Sequence, residues 1–106
     1  MISDRAIRSV VDLIVRCLDP QAVYLFGSTA QGRTRSDSDI DLMVLAPFHE
    51  SPHRRGMELR GLVGDGVVPV DLHLLTPEEF KLESRQQHSL ASTVLKYGKE
   101  VYRREE

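Results

Sequence analysis

Asp39 and Asp41 stand either side of Ile40 at the opening of an apolar run that continues to Ala46. Side chains in a strand alternate between faces, so the two carboxylates point one way while Ile40 and Leu42 point the other. Like charges on neighbouring same-face positions repel, and the pair is a poor structural choice by itself. A divalent cation between them reverses that, because a hard ion such as Mg2+ takes oxygen ligands and keeps positions for phosphate or water. Upstream, Gly27-Ser28 follows directly on the apolar run Ala22 to Phe26. Glycine there lets the backbone turn sharply and approach a ligand. Ser28 can cap a short helix and offer its hydroxyl and nearby N–H groups to phosphate oxygens. Read alone, Gly-Ser is an ordinary turn; its distance from the acidic pair strengthens the other reading. A phosphate-holding turn beside a metal-holding pair points to chemistry on a nucleoside triphosphate.

Two metal ions would require a third carboxylate, and Asp71 is the candidate, within the run Val67 to Leu75. An acidic residue amid valines and leucines is costly unless paired or metal-bound. The competing reading places it on the solvent face of an edge strand. Spacing alone does not separate the two, and the first acidic pair tips the choice toward function. His73 shares the face of Asp71 by the same alternation, although a histidine on a strand is more often a packing or surface residue. Residues 27–34 read Gly-x-x-x-x-Gly-Arg-Thr, one residue short of a P-loop. That motif needs lysine where Arg33 stands and a long helix directly after it. Here the polar run 34–38 leads into a strand, and the chain is small for such an enzyme, so the P-loop reading is excluded.

The elements that must position these residues follow from periodicity. Ile7, Val10, Val11, Ile14 and Leu18 recur at helical spacing, Ser3 is a suitable cap, and Asp19-Pro20 is a stop, predicting a helix over 4–18. Strands are expected at 22–26 and 39–46, the latter closed by Pro47. Ser51-Pro52 can start a helix to about Val63, with Met57, Leu59, Leu62 and Val63 as core or interface candidates. A third strand is expected over 67–75, and Pro69 within it implies an edge position or a bulge. Thr76 and Glu79 form a capping box for a helix from 77 to about 86. A further helix at 89–97 ends at Gly98, and 99–103 reads as a short strand or an extended tail. Tyr97 and Tyr102 read as packing residues. The order predicts an α/β (α+β) domain, a small mixed β-sheet flanked by helices.

A chain of 106 residues, 41% hydrophobic, reads as one domain over 1–106 with a real core. No apolar run approaches a membrane span and no secretory leader is evident. The lone Cys17 excludes an internal disulfide and reads as a small core residue, and these points favour a cytoplasmic protein. A formal net charge of −2 argues against direct nucleic-acid binding. Arg33 and Arg35 lie inside the motif and are placed to meet phosphate, whereas His53, Arg54, Arg55 and Arg60 read as a solvated face.

The residues resemble the nucleotidyltransferase superfamily, whose pattern is Gly-Ser, about ten residues, Asp-x-Asp, and a third acidic residue on a later strand. Within it the chain is similar to the minimal nucleotidyltransferase (MNT) group, single small domains of the DNA polymerase beta-like fold. The phrases Phe26-Gly-Ser-Thr-Ala-Gln-Gly and Ser38-Asp-Ile-Asp-Leu-Met-Val carry most of the match. Thr29 and Gln31 stand where relatives often have arginine. The resemblance implies a two-metal reaction with Mg2+ and ATP. Asp39 and Asp41 would hold metal against the triphosphate, Asp71 would complete the metal site facing the attacking hydroxyl, and Gly27 and Ser28 would fix the β and γ phosphates. It further implies a HEPN-domain toxin as partner, with this chain as the antitoxin that adenylylates one of its tyrosines. The alternatives are a non-catalytic antitoxin or binding module of the same fold, or a small-molecule nucleotidyltransferase acting as a homodimer, and a homo-oligomer is a further expectation.

Overall fold

The apolar stripe of the first helix is the starting point of the architecture. In the computed structural model, which describes residues 4–27, 40–57 and 70–105, α1 spans Asp4–Leu18. Ile7, Val11 and Ile14 are buried along one side of it, with Val10 and Leu18 half-buried beside them. The helix stops at Asp19, whose φ of 46° is left-handed, and Pro20 follows, fully buried. Pro20 cannot donate to a continuing helix, and the turned backbone delivers the chain into the sheet.

Four strands follow: β1 (Ala22–Phe26), β2 (Ile40–Leu45), β3 (Val70–Leu75) and β4 (Lys99–Arg103). They form one sheet in the order β3-β2-β1-β4. β1 runs antiparallel to both β2 and β4, whereas β2 and β3 are parallel, so the sheet is mixed as expected. β3 lies at an edge, the position that Pro69 implied, although Pro69 itself is outside the described residues. The 99–103 segment is a strand, paired with β1 across an irregularity between Val23 and Tyr24.

Both faces of the sheet are covered. α1 packs over Val23, Leu25, Leu42, Val44, Leu72 and Leu74. On the other face lie α2 (Pro77–Ser84) and α3 (Leu90–Tyr97), joined to the sheet through Phe80, Ala91, Val94, Ala22, Phe26, Met43 and Leu45. Tyr24 stacks on Phe80 with ring centroids 5.8 Å apart. Double coverage explains why β1 and β2 are apolar nearly throughout rather than cleanly alternating.

The capping box at α2 forms as the sequence predicts. The Glu79 N–H donates to Thr76 Oγ1 (3.1 Å) and the Thr76 N–H donates to Glu79 Oε1 (2.8 Å). Glu79 also takes a bidentate pair of bonds from Arg55, at 2.6 and 3.2 Å. Arg55 donates further to the carbonyls of Leu74 and Glu50 and lies over the Phe48 ring. This corrects the reading of Arg55 as part of a solvated face: it is 5% exposed, its donors consumed by the end of β3 and the start of α2. The Arg55 guanidinium and the Thr76 N–H hold the Glu79 carboxyl at about 2, well below its ordinary value.

Other expectations are corrected by helix geometry. Cys17 is exposed, because at ~100° per residue it falls roughly 90° from the stripe that α1 buries. Tyr97, expected to pack, is 62% exposed for the same reason, since α3 turns Ala91 and Val94 to the sheet. Tyr102 does pack, half-buried against the α1 cluster. Met57 is exposed rather than core. Of the helix expected from Pro52 to Val63, the described part holds a 3-10 turn at Pro52–Arg54; Leu59, Leu62, Val63 and Arg60 lie outside the described residues. No helix among the described residues is long and apolar enough to cross a membrane.

Candidate functional site

The register of the two central strands brings the acidic residues together. β2 and β3 are parallel with Asp41 opposite Asp71 and Met43 opposite His73. Asp41, Asp71 and His73 therefore share one sheet face, the face that α2 and α3 cover further along, while Leu42, Leu72 and Leu74 point into the α1 core. One donor atom on each of Asp41, Asp71 and His73 lies within 4.8 Å of the others. Such a spacing lets the three side chains converge on a single ion, and the set of two carboxylate oxygens and one imidazole nitrogen suits a divalent cation.

Gly27 closes the site from the end of β1. Phe26 pairs with Asp41 across β1 and β2, so the next residue arrives beside that carboxylate. Gly27 has a φ of +80°, the left-handed region where glycine is favoured. A Cβ there would collide with Asp41 Oδ2. The turn thus demands glycine twice over, once for its backbone and once for the carboxylate it abuts.

Ser28 and Asp39 lie outside the described residues, as do Thr29, Gln31, Arg33 and Arg35. Asp71 is where the alternation puts it, but the burial-cost argument for it does not hold. Its side chain is 57% exposed, on the open edge of the sheet, and what singles it out is its position opposite Asp41. His73 belongs to the same cluster, although a histidine on a strand is more often a packing or surface residue. Its Nε2 stands 3.4 Å from Asp71 Oδ2, and its ring packs against Phe26 with centroids 5.3 Å apart and planes tilted by 59°. The signal in the sequence was its two-residue spacing from Asp71. A cleft of about 850 Å³ between α1 and β4, bounded by residues such as Arg8, Leu25 and Tyr102, opens on the opposite face and contains none of these groups.

Residues 7–101 match the family model described as the nucleotidyltransferase domain. Among solved structures, a toxin-antitoxin with AMP-PNP is similar at 27% identity and a TM-score of 0.67, over 92% of this chain and 73% of that one. A mutant of the toxin-antitoxin MntA-HpeT is similar at 26% identity and a TM-score of 0.64, over 99% and 76% of the two chains. A tri-AMPylated Shewanella oneidensis HEPN toxin in complex with MNT antitoxin is similar at 22% identity and a TM-score of 0.52, over 92% and 69%, a likeness of fold alone. No curated protein matches the chain.

Proposed function

The chain belongs to the nucleotidyltransferase domain family, and from that premise we propose that it transfers AMP from ATP to a hydroxyl of a protein partner. The observation that carries this reading is the convergence of Asp41, Asp71 and His73 beside the Gly27 turn. The acceptor we propose is a tyrosine of a HEPN toxin, which makes this chain an antitoxin. The likeness to a toxin-antitoxin with AMP-PNP supports both the nucleotide and the kind of partner, and the likeness to MntA-HpeT supports the kind of partner.

In this reading Asp39 and Asp41 are the ligands on the triphosphate side, and Asp71 is the ligand on the side of the acceptor hydroxyl. Gly27 and Ser28 hold the β and γ phosphates through backbone N–H groups and the serine hydroxyl. Two Mg2+ ions, when bound, neutralise the triphosphate and stabilise the attacking and leaving oxygens. The tyrosine oxygen attacks the α-phosphorus in line, the bond to the β-phosphate oxygen breaks, pyrophosphate leaves and the phenolic proton passes to solvent. Most of the rate gain comes from positioning and charge neutralisation, since the protein itself forms no covalent bond.

The test is incubation with labelled ATP and Mg2+, alone and with the HEPN partner, followed by intact-mass analysis. The expected result is one or more AMP units on the partner. With Asp41→Asn the transfer rate should fall by about 10³-fold or more, with the far-UV circular dichroism unchanged. A stable complex that gains no mass would sink the transferase reading and favour an antitoxin acting by contact.

A further inference from the structure

Of the three residues whose donor atoms converge within 4.8 Å, only two are carboxylates. We propose that His73 is a direct nitrogen ligand of this site, so that the position beside Asp71 selects a first-row transition cation ahead of Mg2+. The inference rests on the reading of Asp41 and Asp71 as cation ligands and adds a nitrogen donor beside them.

The first support is a separation. His73 Nε2 stands 3.4 Å from Asp71 Oδ2. A charge-assisted N–H···O bond closes to about 2.7–2.9 Å, so the pair is wider than a hydrogen bond made for its own sake. Two neighbouring ligands held about 2.1 Å from one ion stand roughly 3.0 Å apart at an octahedral angle and about 3.4 Å at a tetrahedral one, so the spacing is near that of two donors on one ion. The second is the fixed ring. Phe26, itself buried, packs against the imidazole, so ligation costs His73 little further freedom. The third is placement. His73 lies one step inward of the Asp41–Asp71 pair, opposite the fully buried Met43. Its side chain is 32% exposed against 57% for Asp71, so the nitrogen donor comes from the closed side of the site and the carboxylate from its open rim.

Donor chemistry gives the selectivity. Mg2+ is hard and favours a near-octahedral shell of oxygens, and an imidazole in that shell takes the place of an oxygen it prefers. Cations further along the first transition row bind imidazole progressively better, from Mn2+ through Co2+. The mixed donor set therefore widens the gap between Co2+ and Mg2+ relative to an all-carboxylate site.

The experiment loads the full chain with Mn2+ in the absence of nucleotide and reads directly bound 14N by pulsed EPR. His73→Gln and Asp41→Asn are measured alongside. A nitrogen coupling is expected in the parent and lost in His73→Gln, with Mn2+ still bound, while Asp41→Asn releases the ion. In calorimetric titrations His73→Gln should weaken Co2+ about 10-fold or more, and Mg2+ by less than about threefold. Should His73→Gln not fold, His73→Cys is the second variant, and it should give bound Co2+ a thiolate charge-transfer band. Absence of that band, or a nitrogen coupling that survives in His73→Gln, would overturn the inference. Mn2+ bound through oxygen alone overturns the nitrogen donor and leaves the proposed function standing. A parent chain that binds no divalent cation without nucleotide overturns the inference, and the proposed function then stands or falls on the transfer assay.

Discussion

Gly27 and Asp41 are two residues from different strands that constrain one another. The glycine has a φ of +80°, and a Cβ on it would strike the Asp41 carboxylate. Gly27→Ala should therefore destabilise the fold by about 1–3 kcal/mol, the sum of left-handed strain and a displaced neighbour. It should also weaken divalent-cation binding, because the carboxylate must swing from its place. Gly56 supplies the control: its φ is +65° and a Cβ would meet Leu74 Cδ1 at 2.6 Å, in the α1 core. Gly56→Ala should cost similar stability in a denaturant melt and leave cation affinity unchanged. Equal loss of affinity in both variants would mean that Gly27 acts only through the fold. At this scale the sequence was informative about residue types and faces but not about distances. The alternation placed Asp71 and His73 together, yet only the parallel register of β2 and β3 sets them opposite Asp41 and Met43. The exposure of Asp71 matches the edge-strand reading, which spacing alone could not separate from burial because a run of apolar neighbours describes the strand and not its edge.

The elements are held to one another by a polar tie whose halves were unequally legible. Thr76 and Glu79 have local spacing, and the capping box they predict is present. Arg55 has no local signature. It is buried because Leu74 and Glu79, nineteen and 24 residues away, accept its donors, and tertiary partners of that kind leave no periodic trace. α1 was legible to its last residue because one stripe repeats along its whole length, whereas Cys17 and Tyr97 are exposed because helix angle, and not residue type, decides which side chains face the sheet. The tie also fixes a pH dependence. Glu79 is held at about 2 in the folded chain against an ordinary 4.5. A carboxyl with a depressed folded value contributes stability that is complete above its unfolded value and is lost as pH falls toward the folded one. The contribution of Glu79 is thus present above about pH 4.5 and drains away between there and about pH 2. Its side chain is 39% exposed, so solvent screening discounts the worth of the pair, and Glu79→Gln should cost about 1–2 kcal/mol at pH 7. Urea midpoints of parent and variant should converge as pH is lowered from 5 to 2. A gap constant across that range would show that the charge on Glu79 contributes nothing.

At the scale of the whole molecule, the site is a product of the sheet rather than of any one element. Asp41 comes from β2, Asp71 and His73 from β3, and Gly27 from the end of β1, while the cores that hold these strands in register lie on both faces. An opened sheet has no such site, because separating β2 from β3 separates the ligands. A cation that binds the folded chain and not the unfolded one must then stabilise the entire fold by mass action. At a free concentration 100 times its dissociation constant the gain is about 2.7 kcal/mol, which for a domain of this size raises the midpoint of thermal unfolding by roughly 10 °C or more. Differential scanning calorimetry with increasing Mn2+ should show that rise in the parent, continuing with the logarithm of concentration beyond saturation. In Asp41→Asn the rise should disappear. The same rise in the variant would place the ion on other groups, such as the exposed His53. No rise in the parent would mean that the three donors, near as they are, do not hold an ion until nucleotide brings further oxygens. The melt without nucleotide therefore separates a site organised by the protein from one assembled only with its substrate.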